Sequence, residues 1–330
     1  MPYDGKIIQR AMQRFEEDKQ EREENFRRRE ETVYAREPRL REIDAELRST
    51  MARIIASALQ RGTDPRPAVA VLRDRNLSLQ RERAALLQKL GLPADYLEEK
   101  PNCSLCGDRG YRGGTICRCL REYCAREQKK ELSALLDLGT QSFDTFSLDW
   151  YSEEVSPEAG VSPRENMETV YEVCANYAYN FGRKPGNLLL TGAPGLGKTF
   201  LSACIAREVS EAGFSVVYDT AVHIFDRFEA KKFGRGDTAE EDTGRVLRCD
   251  LLILDDLGTE MTTAFVVSAL YEIVNTRMME GRSTILSTNL MPDVIARRYS
   301  PQIASRIEGE YRILPFFGED IRKLRREQTK

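Results

Sequence analysis

One eight-residue loop constrains the fold of this chain more than any other part of its sequence. It reads Gly-Ala-Pro-Gly-Leu-Gly-Lys-Thr over residues 192–199 and fits the phosphate-loop pattern G-x-x-x-x-G-K-[ST]. The aliphatic run 188–190 before it predicts a strand, and segment 199–212 after it predicts a helix. Glycines let consecutive backbone N–H groups point at a phosphate, and the helix N-terminus adds its positive dipole end. The loop therefore predicts a nucleotide site.

Short aliphatic runs separated by helical segments continue through the C-terminal half. They lie at residues 188–190, 215–218, 251–254 and 283–286. Near-continuous aliphatic strands that alternate with helices indicate a parallel sheet covered on both faces. We therefore predict an α/β fold, a P-loop domain with a doubly wound parallel sheet, over residues 142–330.

Side chains at the loop and at the end of a later strand predict that ATP and Mg²⁺ bind here. Lys198 is expected to reach the β- and γ-phosphates, and the Thr199 hydroxyl is expected to bind Mg²⁺. Strand 251–254 runs into two acids. Asp255 is expected to hold Mg²⁺ through its water shell and Asp256 to polarise the attacking water, unless the pair merely terminates a strand. The predicted nucleotide-binding residues are Gly192, Ala193, Pro194, Gly195, Leu196, Gly197, Lys198, Thr199, Phe200 and Asp255.

Asn289 ends a Ser-Thr-Asn sequence after the next predicted strand. Its amide is expected to lie near the γ-phosphate and orient the water, and an ordinary turn asparagine is the alternative. The phosphate loop, Leu-Leu-Ile-Leu-Asp-Asp-Leu-Gly and Ser-Thr-Asn, in that order, resemble the AAA+ ATPases of the initiator and helicase-loader clade. Within that clade they resemble the bacterial DnaC/DnaI-like loaders and the related IstB transposition helpers. The resemblance covers roughly residues 140–325.

The resemblance implies two arginines and an assembly. Arg306 occupies the expected position of an arginine finger that acts on a neighbour's nucleotide, which implies a homo-oligomer in the ATP-bound state. A surface ion pair is the alternative for Arg306. Arg322 is the candidate for a second, cis-acting arginine, with Arg325 and Arg326 close by in sequence. The resemblance also implies an AAA+ core without a full helical lid.

A cysteine-rich segment over residues 99–125 predicts a small metal knuckle. The ligand candidates are Cys103, Cys106, Cys117 and Cys119, in a C-x-x-C and C-x-C arrangement with glycines between the pairs. Four thiolates at Zn–S distances of about 2.3 Å close a tetrahedron, so structural zinc is the main interpretation. Reduced cysteines in a loop and an iron–sulfur cluster are the alternatives. Cys124 is an alternative fourth ligand.

The region before the knuckle is helical in character. Residues 1–98 predict an all-α arm, interrupted near 62–67, and residues 126–141 predict a linking helix. The arm is interpreted as a helical bundle without chemistry of its own or as a partner-binding module, and the two are compatible.

Charge and hydropathy limit the partners. With 50 basic against 53 acidic residues the formal charge is −3, which excludes a protein that coats nucleic acid by bulk electrostatics. The sequence has no apolar run of the roughly 18 residues that a membrane span needs. A cytoplasmic protein without a membrane partner is therefore expected.

Residues 219–248 form a candidate single-stranded DNA segment, because cations can meet phosphates and rings can stack on bases. Its basic and aromatic residues are Phe225, Arg227, Phe228, Lys231, Lys232, Phe233 and Arg235. An ordinary amphipathic helix with core phenylalanines is the alternative.

Together these features predict an ATP-dependent loader of a replicative helicase. Its expected partners are the hexameric helicase and single-stranded DNA, and its expected cofactors are ATP, Mg²⁺ and Zn²⁺. An IstB-like helper of a DNA transposase is the first alternative, and an ATP-binding structural adaptor without hydrolysis is the second. A GTPase is disfavoured, since the sequence lacks an Asn-Lys-x-Asp motif.

Overall fold

The structure, a computed structural model, describes residues 3–59, 66–135, 141–183, 185–234 and 239–328. The chain divides into two compact units. One unit comprises the residues up to Gln13 and those from Ile116 onward, and the other comprises Arg14–Thr115. Most of the predicted break at 62–67, the end of the predicted linking helix and Arg235 lie outside the described residues.

Helices account for most of the described chain before residue 140. The helices are α1 (Gly5–Arg36), α2 (Pro38–Leu59), α3 (Arg66–Lys89), α4 (Arg118–Leu135), α5 (Pro163–Tyr179), α6 (Lys198–Glu211), α7 (Ala221–Lys232), α8 (Ala239–Arg248), α9 (Ala264–Met279), α10 (Pro292–Arg298), α11 (Pro301–Glu310) and α12 (Ile321–Gln328). The unit Arg14–Thr115 has its own apolar core, formed by Val33, Tyr34, Leu40, Leu87 and Leu97. Its N-terminal helical character is therefore as predicted.

A five-stranded sheet organises the other unit. After the short hairpin strands β1 (Tyr111–Arg112) and β2 (Thr115–Ile116), the strands are β3 (Asn187–Gly192), β4 (Val216–Thr220), β5 (Leu251–Leu257), β6 (Ser283–Thr288) and β7 (Tyr311–Phe316). The order across the sheet is β4-β5-β6-β3-β7, and every neighbouring pair is parallel. The predicted α/β fold with a parallel sheet is confirmed.

The middle of β3 is aliphatic because both faces of the sheet are covered there. On β3, Leu188 and Leu190 pack into one buried apolar cluster, whereas Leu189 packs into the cluster on the opposite face. Successive residues of a strand point to opposite faces, so a strand buried on both sides has no polar alternation. Because β3, β5 and β6 run parallel to one another, their carboxyl ends lie at one edge of the sheet. Ligands bind at this edge in open α/β folds.

Helix α4 begins eight positions earlier than the predicted linking helix, at Arg118 rather than 126. Leu120, Cys124, Gln128 and Leu132 are all buried, and their spacing of four residues places them on one helix face. Gln128 also donates hydrogen bonds to the Ser210 hydroxyl at the end of α6, at 2.8 Å, and to the Phe214 carbonyl. Because this face is buried, α4 begins within the cysteine-rich segment 99–125.

Within the described parts of the chain, no helix combines the length and apolar character that crossing a membrane requires. The division into four functional segments, 1–98, 99–125, 126–141 and 142–330, differs from the two units given by packing. It remains a prediction about function.

Candidate nucleotide-binding site

The phosphate loop connects β3 to α6 as its sequence pattern predicts. Gly192 ends the strand with φ of 145°, and Gly195 within the loop has φ of 82°, values that only glycine adopts readily. A Cβ on Gly192 would overlap the carbonyl oxygen of Phe316, and one on Gly195 would overlap the Asp320 carboxylate. Both glycines are therefore required by backbone conformation and by close approach.

The Lys198 side chain folds back over the loop. It is 6% exposed, and its Nζ donates to the carbonyls of Gly192 at 2.6 Å and Ala193 at 2.8 Å, and to Oδ1 of Asn289 at 2.8 Å. Burial lowers the pKa of the Lys198 ammonium, while Asp256 and Asp255 act in the opposite direction. The loop lysine and the asparagine after β6 are thus in direct contact.

A β-bulge gives the two acids on β5 different environments. Leu254 pairs with Leu286 and Leu257 pairs with Thr288, so β5 carries one extra residue where the acids stand. Asp256 has a left-handed φ of 53°, which is uncommon outside glycine. Asp255 is 4% exposed, whereas Asp256 is half-buried. The bulge therefore lets consecutive carboxylates occupy different environments.

Asp255 is held by two hydrogen bonds. Its Oδ2 accepts from the Tyr218 hydroxyl at 2.6 Å, and its Oδ1 accepts from the backbone N–H of Asp256 at 3.0 Å. Burial and the Asp255 carboxylate raise the pKa of Tyr218 well above its ordinary value, so the phenol keeps its proton and donates. Burial, then the charge of Asp255, also raises the pKa of Asp256. A raised pKa makes a carboxylate a better proton acceptor near neutral pH.

A cavity of about 390 Å³ opens above the loop. It is lined by Gln141, Thr145, Phe146, Ser147, Trp150, Tyr151, Pro194, Gly195, Gly197, Lys198, Thr199, Phe200, Asp256, Thr259, Asn289, Ile321, Arg322 and Arg325. The volume suits a nucleotide-sized ligand. Gly192, Ala193, Leu196, Asp255 and Arg306, which were also predicted, are not among the described residues that line it.

One wall of the cavity is aromatic, and the motifs did not identify it. Phe146 stacks on Tyr151 with ring centroids 6.0 Å apart, and it contacts Phe200 at 5.7 Å. The Tyr151 hydroxyl donates to the Leu196 carbonyl at 2.9 Å, which ties this wall to the phosphate loop. The aromatic density of residues 143–151 was the available signal. A flat apolar wall beside a phosphate loop can receive a nucleobase.

Arg322 reaches the site because its segment lies against the loop. The Ile321 N–H donates to the Gly195 carbonyl at 3.1 Å, and the Arg322 N–H donates to Oδ1 of Asp320 at 2.8 Å. Arg325 also lines the cavity, with its guanidinium 5.2 Å from the Trp150 ring centroid. The structure therefore brings two arginines to the cavity.

Arg306 lies on α11. Its Nη2 donates to the Tyr271 hydroxyl at 2.8 Å, its Nε donates to Oδ1 of Asn275 at 3.1 Å, and its guanidinium stacks 4.6 Å from the Tyr271 ring centroid. These partners are neutral. The Nη1 of Arg306 also donates to the Gln302 carbonyl at 3.4 Å, which is neutral as well.

Oxygen donors near the loop fit Mg²⁺. Thr199 lines the cavity. Asp255 and Asp256 lie near the carboxyl end of β5. Hydroxyl and carboxylate oxygens are the ligand types that Mg²⁺ prefers, usually with several waters retained.

The cysteine cluster is a second candidate site. The sulfur atoms of Cys103, Cys106, Cys117 and Cys119 lie within 4.8 Å of one another. Four thiolates are a donor set that structural zinc accepts, at Zn–S distances of about 2.3 Å. Cys124 lies outside this cluster on the buried face of α4, where burial raises its thiol pKa to about 11.

The residues of the candidate DNA segment on and directly after α7 differ in their exposure to solvent. Phe225 and Phe228 are buried in the apolar core, so these rings pack against the sheet and are not available to stack on bases. Lys231, Lys232 and Phe233 at the helix end are exposed. Any contact with DNA by this helix would therefore use its C-terminal end.

Comparison with known proteins agrees with the geometry. Residues 172–294 match the family model described as IstB-like ATP binding protein. The chain is 26% identical over 230 residues to the replicative helicase loader DnaI of Bacillus subtilis, a match that covers 62% of this chain and 70% of that protein. It is 31% identical over 106 residues to a putative insertion sequence ATP-binding protein of Sinorhizobium fredii, across 32% of this chain and 35% of that protein.

Among solved structures, the crystal structure of the DnaC helicase loader aligns with a TM-score of 0.46 and 20% identity, across 55% of this chain and 99% of that chain. The chain contains an IstB-like ATP-binding domain, and its homologues include DnaI-type helicase loaders and insertion-sequence ATP-binding proteins. The resemblance inferred from the motifs is confirmed.

Proposed function

We propose that this protein is an ATP-dependent loader of a hexameric replicative DNA helicase, acting when DNA replication begins. The observation that carries the ATPase part is that Lys198, Asp256, Asn289 and Arg322 line one cavity above the phosphate loop. The choice of a helicase as partner rests on the extent of the DnaI match. The match covers 62% of the chain, which is a larger share than residues 142–330 make up. The similarity therefore extends beyond the predicted ATPase segment.

In this proposal the polar residues of the cavity bind and polarise ATP. Lys198 exchanges its carbonyl and Asn289 acceptors for phosphate oxygens, which releases the Asn289 amide to orient the attacking water. Asp256 accepts the proton of that water, and Arg322 stabilises charge on the transferred phosphoryl group. Thr199 and Asp255 would hold Mg²⁺, which neutralises developing phosphate charge when bound.

Two further parts of the proposal extend to partners. Arg306, whose contacts within its own chain are neutral, is proposed to enter the site of an adjacent copy, so ATP-bound protein forms a homo-oligomer. Lys231, Lys232 and Phe233 are proposed to contact single-stranded DNA. We also propose structural Zn²⁺ at the four-cysteine cluster, and a reducing, cytoplasmic setting suits such thiolates.

A helper of a DNA transposase is the second candidate. The family model and the insertion-sequence relative favour it, and it would use the same nucleotide site. The two candidates differ in their protein partner. The third candidate is an adaptor that binds ATP without hydrolysis. Measuring ATP hydrolysis by the purified protein distinguishes it from the other two candidates, because only they hydrolyse ATP.

A direct binding experiment tests the proposal. Full-length protein is mixed, with ATP or with ADP, with a purified hexameric replicative helicase or with an insertion-sequence transposase, and complexes are separated by size. Co-elution with the helicase, stronger with ATP than with ADP, is expected, and Lys198→Ala should remove this nucleotide dependence. Co-elution with the transposase alone would assign the second function.

A further inference from the structure

A buried tyrosine outside every nucleotide motif contacts the acid of the predicted Mg²⁺ site. Tyr218 lies on β4, opposite Ile253 in the parallel register, so Asp255 stands two positions further along β5. Positions two apart share a face of the sheet, and such diagonal neighbours are within reach of an aromatic side chain. The phenol hydroxyl meets Oδ2 of Asp255 at 2.6 Å.

We propose that Tyr218 is a positioning residue of the nucleotide site, whose hydroxyl fixes the Asp255 carboxylate in the orientation that serves Mg²⁺-bound ATP. The proposal rests on the ATPase function proposed above. Tyr218 is 6% exposed and Asp255 is 4% exposed, so little water competes for the bond. A hydrogen bond between a hydroxyl and a carboxylate at this distance belongs to the strong, charge-assisted class.

The two donors to Asp255 hold both of its oxygens. Tyr218 binds Oδ2 from the neighbouring strand, and the N–H of Asp256 binds Oδ1 from the same strand. Rotation of the carboxylate would break both bonds. Each oxygen keeps a further lone pair, so a fixed carboxylate can still accept from metal-bound water.

The same pair of bonds reaches Asp256. Its N–H is the donor to Oδ1 of Asp255, and its backbone is left-handed at the bulge. A conformation of this kind persists only when surrounding contacts determine it. Tyr218 therefore helps to hold both the acid proposed to bind Mg²⁺ and the acid that lines the cavity, although Tyr218 is not among the described residues that line the cavity.

A purely structural role makes a different prediction. A buried phenol needs a hydrogen-bond partner in any case, so Tyr218→Phe could lower stability alone. Under that alternative, ATP affinity would change equally with and without Mg²⁺. Under the positioning role, only the Mg²⁺-dependent part of ATP binding changes.

Calorimetry of ATP binding by Tyr218→Phe, with Mg²⁺ and with EDTA, separates these roles. We expect affinity in EDTA to stay within about twofold of wild type and the enhancement by Mg²⁺ to fall about tenfold, since a hydrogen bond to a charged group is lost. Tyr177→Phe is the matched control, because the buried Tyr177 hydroxyl donates to the neutral Gly186 carbonyl at 3.1 Å. It should keep the full Mg²⁺ enhancement.

A double-mutant comparison keeps the test independent of folding. In an Asp255→Asn background, adding Tyr218→Phe should cause no further loss of Mg²⁺ enhancement, because the two residues act through one contact. Equal enhancement in Tyr218→Phe and wild type, or additive losses in the double variant, would overturn the proposal. Wild-type protein without any ATP binding would instead reject the proposed function.

Discussion

Lys198 and Asn289 are joined by a hydrogen bond of 2.8 Å between the loop ammonium and the Oδ1 of the amide. The two residues lie 91 positions apart, and they meet because β3 and β6 are parallel neighbours whose carboxyl ends coincide. The loop ammonium therefore donates a hydrogen bond to the residue proposed to orient water. Phosphate binding must exchange this contact.

Replacing Lys198 by Ala should weaken ATP binding by about 10- to 100-fold, since a hydrogen bond from a charged group contributes about 1.5–3 kcal/mol. Calorimetry with ATP checks this. Lys100→Ala is the control, because that exposed lysine pairs with Asp95 in the other unit and its loss should leave the affinity unchanged. Wild-type affinity in Lys198→Ala would reject the phosphate-loop assignment.

Asp256→Asn and Arg306→Ala should each bind ATP with near-wild-type affinity and lose hydrolysis. The expected reductions are about 10²–10⁴-fold for a missing general base and about 10³-fold or more for a missing arginine finger. Phosphate release by each variant and by an equimolar mixture is the measurement. The mixture should regain part of the activity, because one interface then pairs an intact finger with an intact acid.

Arg322→Ala provides the comparison for that experiment. An arginine that acts within its own chain cannot be complemented by mixing with Asp256→Asn in the same way. If the mixture of Arg306→Ala and Asp256→Asn stays inactive, Arg306 does not act on a neighbouring copy.

Protein prepared under reducing conditions without chelator should contain about one zinc per chain, as a four-thiolate site requires. Elemental analysis should show loss of the metal in Cys103→Ser and in Cys119→Ser. Cys124→Ser should retain zinc, because Cys124 lies outside the cluster. Thermal melting with ATP should show that the ATPase domain stays folded after zinc loss.

Joint replacement of Lys231 and Lys232 by Ala should weaken single-stranded DNA binding and reduce the salt slope by the equivalent of about two phosphate contacts. Fluorescence anisotropy at several salt concentrations measures both quantities. The paired replacement of Lys19 and Lys100 removes the same charge from the unit Arg14–Thr115 and is the control. An unaltered slope would identify the end of α7 as a solvated helix.

The local patterns were sufficient for the phosphate loop, four of the five strands of the parallel sheet and the cysteine set, whereas the edge strand β7 (Tyr311–Phe316) was not predicted. Each of these features can be recognised within a few residues, because backbone conformation, strand burial and metal chelation depend on near neighbours. The features are the loop Gly192–Thr199, the aliphatic run ending at Asp255, and the spacing of Cys103 and Cys106. The early start of α4 was not predicted, since Cys119 and Cys124 were assigned to the knuckle instead of a helix face.

Contacts between distant segments were decided by the tertiary structure. The sequence by itself determined an α/β nucleotide domain, a helical arm and four clustered thiols. It did not specify that Tyr218 would meet Asp255, that Phe146 and Trp150 would line the cavity, or that Phe225 and Phe228 would be buried. The physical reason is that strand order and register place residues far apart in the chain against one another, and no local periodicity encodes which strands become neighbours.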